Sequence, residues 1–277
     1  MAAKDRINHS YTSLADWRRC RLRFYLSHVE GYETPQSPGQ ARGFAGHRAL
    51  AVYYTSQIKN RKKRIQAAMD AAAEVYQFEE GYEMLENALS RYWDWCPEQD
   101  KGWQPITTEY RFEVKLDDFW LVGFIDMIVR WNGQIWLVEN KFNQRVETAH
   151  LDLDQQVSTY MIGASLSGYS PIGVIYNIVR MGDGPTALRD PVVRKPLYRN
   201  PEGLSVKINE IKAQAAEVEK FMRRGGTIYR NETKDCSWDC SYFRYCLALT
   251  DNGHGEGVLD EFGKKDIETP WMEMEND

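Results

Sequence analysis

The sequence predicts an α/β protein built on a mixed sheet flanked by helices. Three observations carry this. The first hundred residues have helical texture; residues 106–142 turn to β-branched and aromatic runs broken by Asn132-Gly133; a helical run at 151–166 then gives way to the apolar stretch PIGVIYNIVR at 171–180. At 277 residues, 43% hydrophobic and 27% charged, with a mean hydropathy of −0.59, the chain suits one large domain or a core with an appendage. No run reaches the roughly 20 apolar residues of a membrane helix, and MAAKDRINHSYTS has no apolar stretch of signal-peptide type. The expected setting is therefore the cytoplasm, with no membrane partner.

Taken in order, SLADWRRCRLRFYLSHV (13–29) predicts a helix, with Ser13 and Asp16 at capping-box spacing and Leu14, Trp17, Leu22, Phe24, Tyr25 and Val29 loosely on one side. GYETPQSPGQ (31–40), with two prolines and two glycines, is a loop. Helical texture returns at 41–57, 64–78 and 82–95. ITTEYRFEV (106–114) alternates, FWLVGFIDMIVRW (119–131) is a strand, and Asn132-Gly133 is a strong hairpin signal leading into QIWLVENKF (134–142). Three strands in a meander follow. LDLDQQVSTYMIGASL (151–166) reads as a helix, 171–180 as a buried strand, and 203–224 as a last long helix. There is no internal repeat, low-complexity tract or Gly-rich phosphate loop.

Net charge is −5, which alone argues against a polyanion partner. Its distribution argues otherwise: +9 over residues 1–64, −8 over 65–100 and −7 over 250–277. KNRKKR (59–64) reads equally as a solvated helix end or as part of a nucleic-acid footprint.

The five cysteines are an odd number, a poor basis for a disulfide framework. Cys236, Cys240 and Cys246 crowd into DCSWDCSYFRYC, Cys20 lies far upstream, and Cys96 reads as a buried, inert thiol. Four thiols suit Zn2+ or an iron-sulfur cluster, or remain free.

Asp126 falls in an otherwise apolar strand, where a carboxylate is costly unless paired or metal-bound. Glu139 and Lys141 are two apart on the next strand, so they share a face, and the Asn-Gly hairpin sets that strand beside Asp126. Two acids and a lysine on one face form either a surface salt bridge or a site for a hard cation such as Mg2+ or Mn2+. Glu109, at the start of the first strand, reads as an exposed strand carboxylate or, second, as a support of the site.

The order of helix, meander with Asp then Glu-x-Lys, helix and strand resembles the restriction-endonuclease-like core of the PD-(D/E)xK nuclease superfamily. Gly43-Phe-Ala-Gly-His47 resembles the histidine motif of the RecB branch, and Gln156-Val-Ser-Thr-Tyr160 its QhxxY motif. One early and three late cysteines resemble the iron-sulfur RecB-like exonucleases, including AddB nuclease domains, CRISPR-associated members and phage relatives. Ile125 stands where the superfamily name has Pro, and Cys236-x3-Cys240 replaces the commoner x2 spacing.

The resemblance implies a metal-dependent DNA exonuclease acting on single-stranded or end-opened DNA in recombination, repair or phage DNA processing. It implies His47, Asp126, Glu139 and the Asn140 carbonyl as ligands of Mg2+ or Mn2+, Lys141 as the assistant to water attack, and Gln156 and Tyr160 at the substrate or the attacking water. Cys20, Cys236, Cys240 and Cys246 would hold a 4Fe-4S cluster, because zinc sites usually come as two Cys-x2-Cys knuckles. Arg18, Arg19, Arg21 and Arg23 would meet phosphate. The domains implied are a helical region at 1–104 carrying Cys20 and His47, a nuclease core at 105–200, a C-terminal helix with the three-cysteine segment at 201–250, and an acidic tail at 251–277. The rival readings are a non-catalytic DNA-binding adaptor on the same fold and a CRISPR-adaptation trimming nuclease. Homo-oligomers or recombination or CRISPR proteins would be the partners, and host cytoplasm the setting of a phage-encoded member.

Overall fold

A computed structural model describes residues 8–224 and 226–265; residues 266–277 of the expected acidic tail lie outside them. The chain begins with β1 (Asn8–Ser10), α1 (Tyr11–Arg19), α2 (Arg21–Phe24), a π-helical turn (Tyr25–Val29) and β2 (Tyr32–Glu33). Three helices follow, α3 (Pro38–Thr55), α4 (Arg61–Val75) and α5 (Tyr82–Gln99), then the meander β3 (Gln104–Leu116), β4 (Phe119–Trp131) and β5 (Gln134–Asn143). A 3-10 turn (Ala149–Leu153) precedes α6 (Gln155–Leu166), β6 (Pro171–Arg180), α7 (Pro185–Arg189), β7 (Val192–Leu197) and α8 (Pro201–Arg224). Short elements finish the described chain: α9 (Cys236–Asp239), α10 (Phe243–Asn252), α11 (Glu256–Leu259) and β8 (Gly263–Lys264). No helix among the described residues is long and apolar enough to cross a membrane.

The residues cluster into two units, one of 36–112 with 123–205 and the other of 1–35, 113–122 and 206–277. Helices α3–α5 thus cluster with the acid-bearing strands.

In the unit of 36–112 and 123–205, β5 lies between β4 and β6, and β6 pairs on its other side with β7. The pairs β4–β5 and β6–β7 are antiparallel, and β5–β6 is parallel. The predicted hairpin forms: Asn132 and Gly133 both take positive φ, 49° and 77°, the backbone that twists with the strands, and Trp131 pairs with Gln134. Met127, Val129, Trp136, Val138 and Ile175 make one core cluster. Ala45, Ala49, Leu50, Leu85, Leu89 and Tyr92 anchor another among α3, α4 and α5. Phe112 fills a slot that two glycines leave open: a Cβ on Gly123 or on Gly163 would lie 2.7 or 2.5 Å from its ring.

In the other unit, β1 adds in parallel to Trp120–Val122 of β4, a strand that short length hid from the sequence. Two sequence expectations are corrected here. The capping box is Ser10 with Ser13, not Ser13 with Asp16; Asp16 is instead buried and pairs with Arg23 Nε at 2.6 Å and His28 Nε2 at 2.9 Å. The helix expected through residue 29 stops at Arg19, because Cys20 takes extended backbone and the segment that follows is fastened sideways by Leu22 N–H donating to the Tyr229 carbonyl at 3.1 Å. Trp17 packs edge-on against Phe24 and Phe221.

Candidate active site

The register Met127 to Val138 brings the end of the apolar run of β4 beside Glu139. There Asp126 Oδ2 accepts the Asn140 backbone N–H at 2.6 Å, and its Oδ1 lies 3.2 Å from His47 Nδ1. His47 arrives from α3, which approaches β5 closely because residue 46 is glycine; a Cβ there would lie 2.5 Å from the Phe142 ring. Glu139 is 2% exposed, and its Oε1 meets Lys141 Nζ at 2.5 Å and accepts from Gln156 Nε2 at 3.1 Å. Gln156 also donates to the Tyr160 hydroxyl at 2.7 Å. The i, i+4 spacing on α6 thus closes a polar arc around one carboxylate. Asp154 caps that helix by accepting the Gln156 N–H at 2.6 Å, which fixes where Gln156 starts the turn.

The structure adds Glu109. It is exposed, as the sequence suggests, yet its carboxylate joins His47 and Asp126: ligand atoms of all three lie within 4.8 Å of one another. Glu109 takes φ 49°, a backbone that costs a non-glycine residue about 1–2 kcal/mol, so β3 holds it there against its own preference. The meander that sets β3 beside β4 was legible, but the positive φ of Glu109 is not announced by its residue type.

The electrostatics are those of crowded acids. Burial and the Asp126 charge push the Glu139 carboxyl up to about 7, against the pull of Lys141 and His47. Desolvation and Asp126 carry Glu109 up to about 7 as well. Burial opposes a charged His47 ring, but the Asp126 carboxylate outweighs it and carries the imidazole up to about 9. Lys141 is likewise held charged against its burial, chiefly by Glu139. Glu139 Oε2 is buried and has no hydrogen-bond partner among the described residues. His47, Glu109 and Asp126 bring three hard donors together, and the partnerless Glu139 oxygen stands in the field of Asp126 and His47, so the residues present fit a divalent metal. Asn140 sends its side chain elsewhere, to Asn177, and is 3% exposed.

The cysteines gather separately, in the unit of 1–35, 113–122 and 206–277. Cys20, Cys236, Cys240 and Cys246 line one cavity of about 180 Å³ with Arg19, Arg23 and residues 230–233. None of the five cysteines forms a disulfide. Asn231 N–H donates to Cys20 Sγ and Thr233 N–H to Cys236 Sγ, both at 3.4 Å. Burial, with Cys240 and Cys20 as neighbours, pushes the Cys246 thiol up to about 11. Cys96 is buried in the other unit's core.

The four arginines of the first helices have partners inside the same unit. Arg19 bridges Asp235 at 2.9 Å and Asp239 at 2.6 Å, the residues flanking Cys236 and Cys240. Arg21 pairs with Glu217 at 3.0 Å and stacks over Trp17, Arg18 donates to Gln214 at 2.5 Å, and Arg23 holds Asp16. They brace the cysteine segment against α1 and α8.

A mixed sheet that converges Asp, Glu-x-Lys, a helical His and a further Glu defines the class of metal-dependent nucleases. Residues 8–247 match the model of the PD-(D/E)XK nuclease superfamily, and the chain belongs to that superfamily. The crystal structure of a "Putative exonuclease" from Eubacterium rectale is similar at a TM-score of 0.56 and 10% identity, covering 87% of this chain and 89% of that one, which is a likeness of fold. The structure of SSO0001, at 15% identity over 83% of this chain and 92% of that one, has a TM-score of 0.33, too low to bear on the fold. No protein with a curated description matches the chain.

Proposed function

We propose that the protein is a Mg2+- or Mn2+-dependent deoxyribonuclease that degrades single-stranded or end-opened DNA from its ends, in recombination, repair or phage DNA processing. The observation that carries this is the trio of His47, Glu109 and Asp126, whose ligand atoms lie within 4.8 Å of one another, with the partnerless Glu139 oxygen on the neighbouring strand and a charged Lys141. His47, Glu109, Asp126, Glu139 and the Asn140 carbonyl would hold the ion. When bound, the metal neutralises phosphate charge and makes a water acidic enough to attack at neutral pH. Lys141 keeps its proton in the field of Glu139 and offers its N–H groups to charge developing on the phosphate. Gln156 ties Glu139 to Tyr160, fixing the carboxylate and presenting a phenolic hydroxyl at the same mouth. Digestion from ends is in line with the name carried by the Eubacterium rectale protein.

Cys20, Cys236, Cys240 and Cys246 hold a 4Fe-4S cluster in this reading. Its support is the cavity that the four thiols share.

The deciding experiment is anaerobic purification, then digestion of end-labelled linear single-stranded DNA beside a closed circle, with Mg2+, Mn2+ or EDTA. Metal-dependent loss of the linear DNA alone is expected, with Lys141→Ala and Asp126→Ala at least about 100-fold slower. Equal loss of the circle would overturn digestion from ends, and full activity in either variant would overturn the site.

A further inference from the structure

Side chains alternate along β5, so Glu139 and Lys141 face the metal cradle while Asn140, between them, points to the opposite side of the sheet. Its backbone and its side chain are held from different directions. The N–H donates to Asp126 Oδ2 at 2.6 Å; the side-chain Oδ1 accepts from Asn177 Nδ2 at 2.8 Å. Asn177 is 1% exposed, and its own Oδ1 accepts from Arg194 Nε at 2.8 Å. Arg194 Nη2 pairs with Asp100 Oδ1 at 2.6 Å, and its guanidinium lies 4.5 Å from the Trp95 ring centroid and 4.3 Å from that of Trp103. Asp100 Oδ2 accepts from the Tyr54 hydroxyl, which meets the Tyr92 hydroxyl at 2.7 Å. Tyr54 stands on α3, two turns after His47.

A continuous polar chain therefore starts at the peptide that holds Asp126 and ends on the helix that delivers His47. It crosses an otherwise apolar interior, where well-packed hydrophobic groups would serve stability as well or better. What such a chain does and an apolar core cannot is fix direction: Asn177 is held by a hydrogen bond on each side, and Arg194, ion-paired with Asp100, lies over two indoles. We infer that Asn177, Arg194, Asp100 and Tyr54 are positioning residues that set the spacing between Asp126 and His47, and through it the affinity of the site for its metal. The inference rests on the reading of that site as a metal cradle.

Mn2+ titration of the full chain by calorimetry, with bound Mn2+ followed in parallel by electron paramagnetic resonance, tests it without relying on cleavage. Asn177→Leu, close in volume, should weaken Mn2+ binding by about tenfold or more, the usual reach of a group one step behind the ligands. KM for DNA should stay unchanged. Asn177→Asp still accepts from Arg194, and the Asn140 amide can turn to donate to it, so this variant should bind Mn2+ like wild type. Tyr54→Phe, at the far end, should lose about threefold. A folded Asn177→Leu protein with wild-type affinity, or an Asn177→Asp protein as impaired as Asn177→Leu, overturns the relay. If Asn177→Leu does not fold, wild-type affinity in Tyr54→Phe overturns it. Asp126→Ala separates the two ideas: if it binds Mn2+ like wild type, the cradle reading fails and takes the relay with it. If only Asp126→Ala loses binding, the relay alone is wrong.

Discussion

Gly46 and Phe142 touch where no side chain could stand between them: a Cβ on Gly46 would sit 2.5 Å from the Phe142 ring, on the helix turn that presents His47. The same ring lies 5.7 Å from the His47 imidazole. The missing methyl is therefore a condition for the histidine to reach Asp126.

Gly46→Ala should consequently cost stability and metal binding together. Overpacking of this kind costs about 1–3 kcal/mol, and the helix or the ring must shift, carrying His47 away from Asp126. The expected result is a lowered Tm by calorimetry and weaker Mn2+ binding, with the fold retained by circular dichroism. Binding unchanged at a lowered Tm would show that His47 is not placed by this contact.

The protonation of the cradle predicts how metal binding follows pH. Glu139 and Glu109 are raised to about 7 and His47 to about 9. Folded-state values above the unfolded ones mean that the folded protein binds protons more tightly. Stability from Glu139 is thus present at acid pH and lost as pH rises through about 7, and that from His47 is lost as pH rises through about 9. A metal must displace these protons. The rise in Tm on adding saturating Mg2+ should grow steadily from pH 6 to pH 9, and calorimetry in buffers of different ionisation enthalpy should register proton release. A Mg2+ effect independent of pH would remove His47 and the glutamates from the ligand set.

Cys20→Ser tests the thiol cavity from its most distant member. Cys20 sits at the break between α1 and α2 and meets the C-terminal segment at Asn231. Protein purified without oxygen should lose iron, acid-labile sulfide and its visible absorption, together with several degrees of Tm. A colourless wild-type protein containing zinc would replace the cluster reading with a zinc one.

Much of this was legible beforehand because it is local. Asn132-Gly133 encodes its turn in the backbone freedom of its own residues, and that turn sets the register that brings Glu139 beside Asp126. Gln156 and Tyr160 are four apart on one helix, so their meeting needed only the helix. Glu109 was not legible as a partner of His47, because their proximity depends on where β3 and α3 come to rest, and on a strained φ that no residue type announces. The break at Cys20 escaped for a related reason. Helical periodicity continues through it, and the bonds that turn the chain aside come from residues 229 and 231, some two hundred positions later. The acidic partners of Arg19 and Arg21 escaped in the same way, because they too are remote in sequence.

That remoteness has a consequence in time. Residues 36–205, with His47, Asp126 and Glu139, are synthesised as one run, whereas Cys20 is made early and cannot meet Cys236, Cys240 and Cys246 until the ribosome has added more than two hundred residues. At about 5–20 residues per second the wait is on the order of 10–45 s. Through it the first helices stand without α8 beneath Trp17 and without the aspartates that hold Arg19, an apolar and cationic surface exposed on the nascent chain. The residues that hold His47, Asp126 and Glu139 are thus made before Cys236, Cys240 and Cys246 can join Cys20.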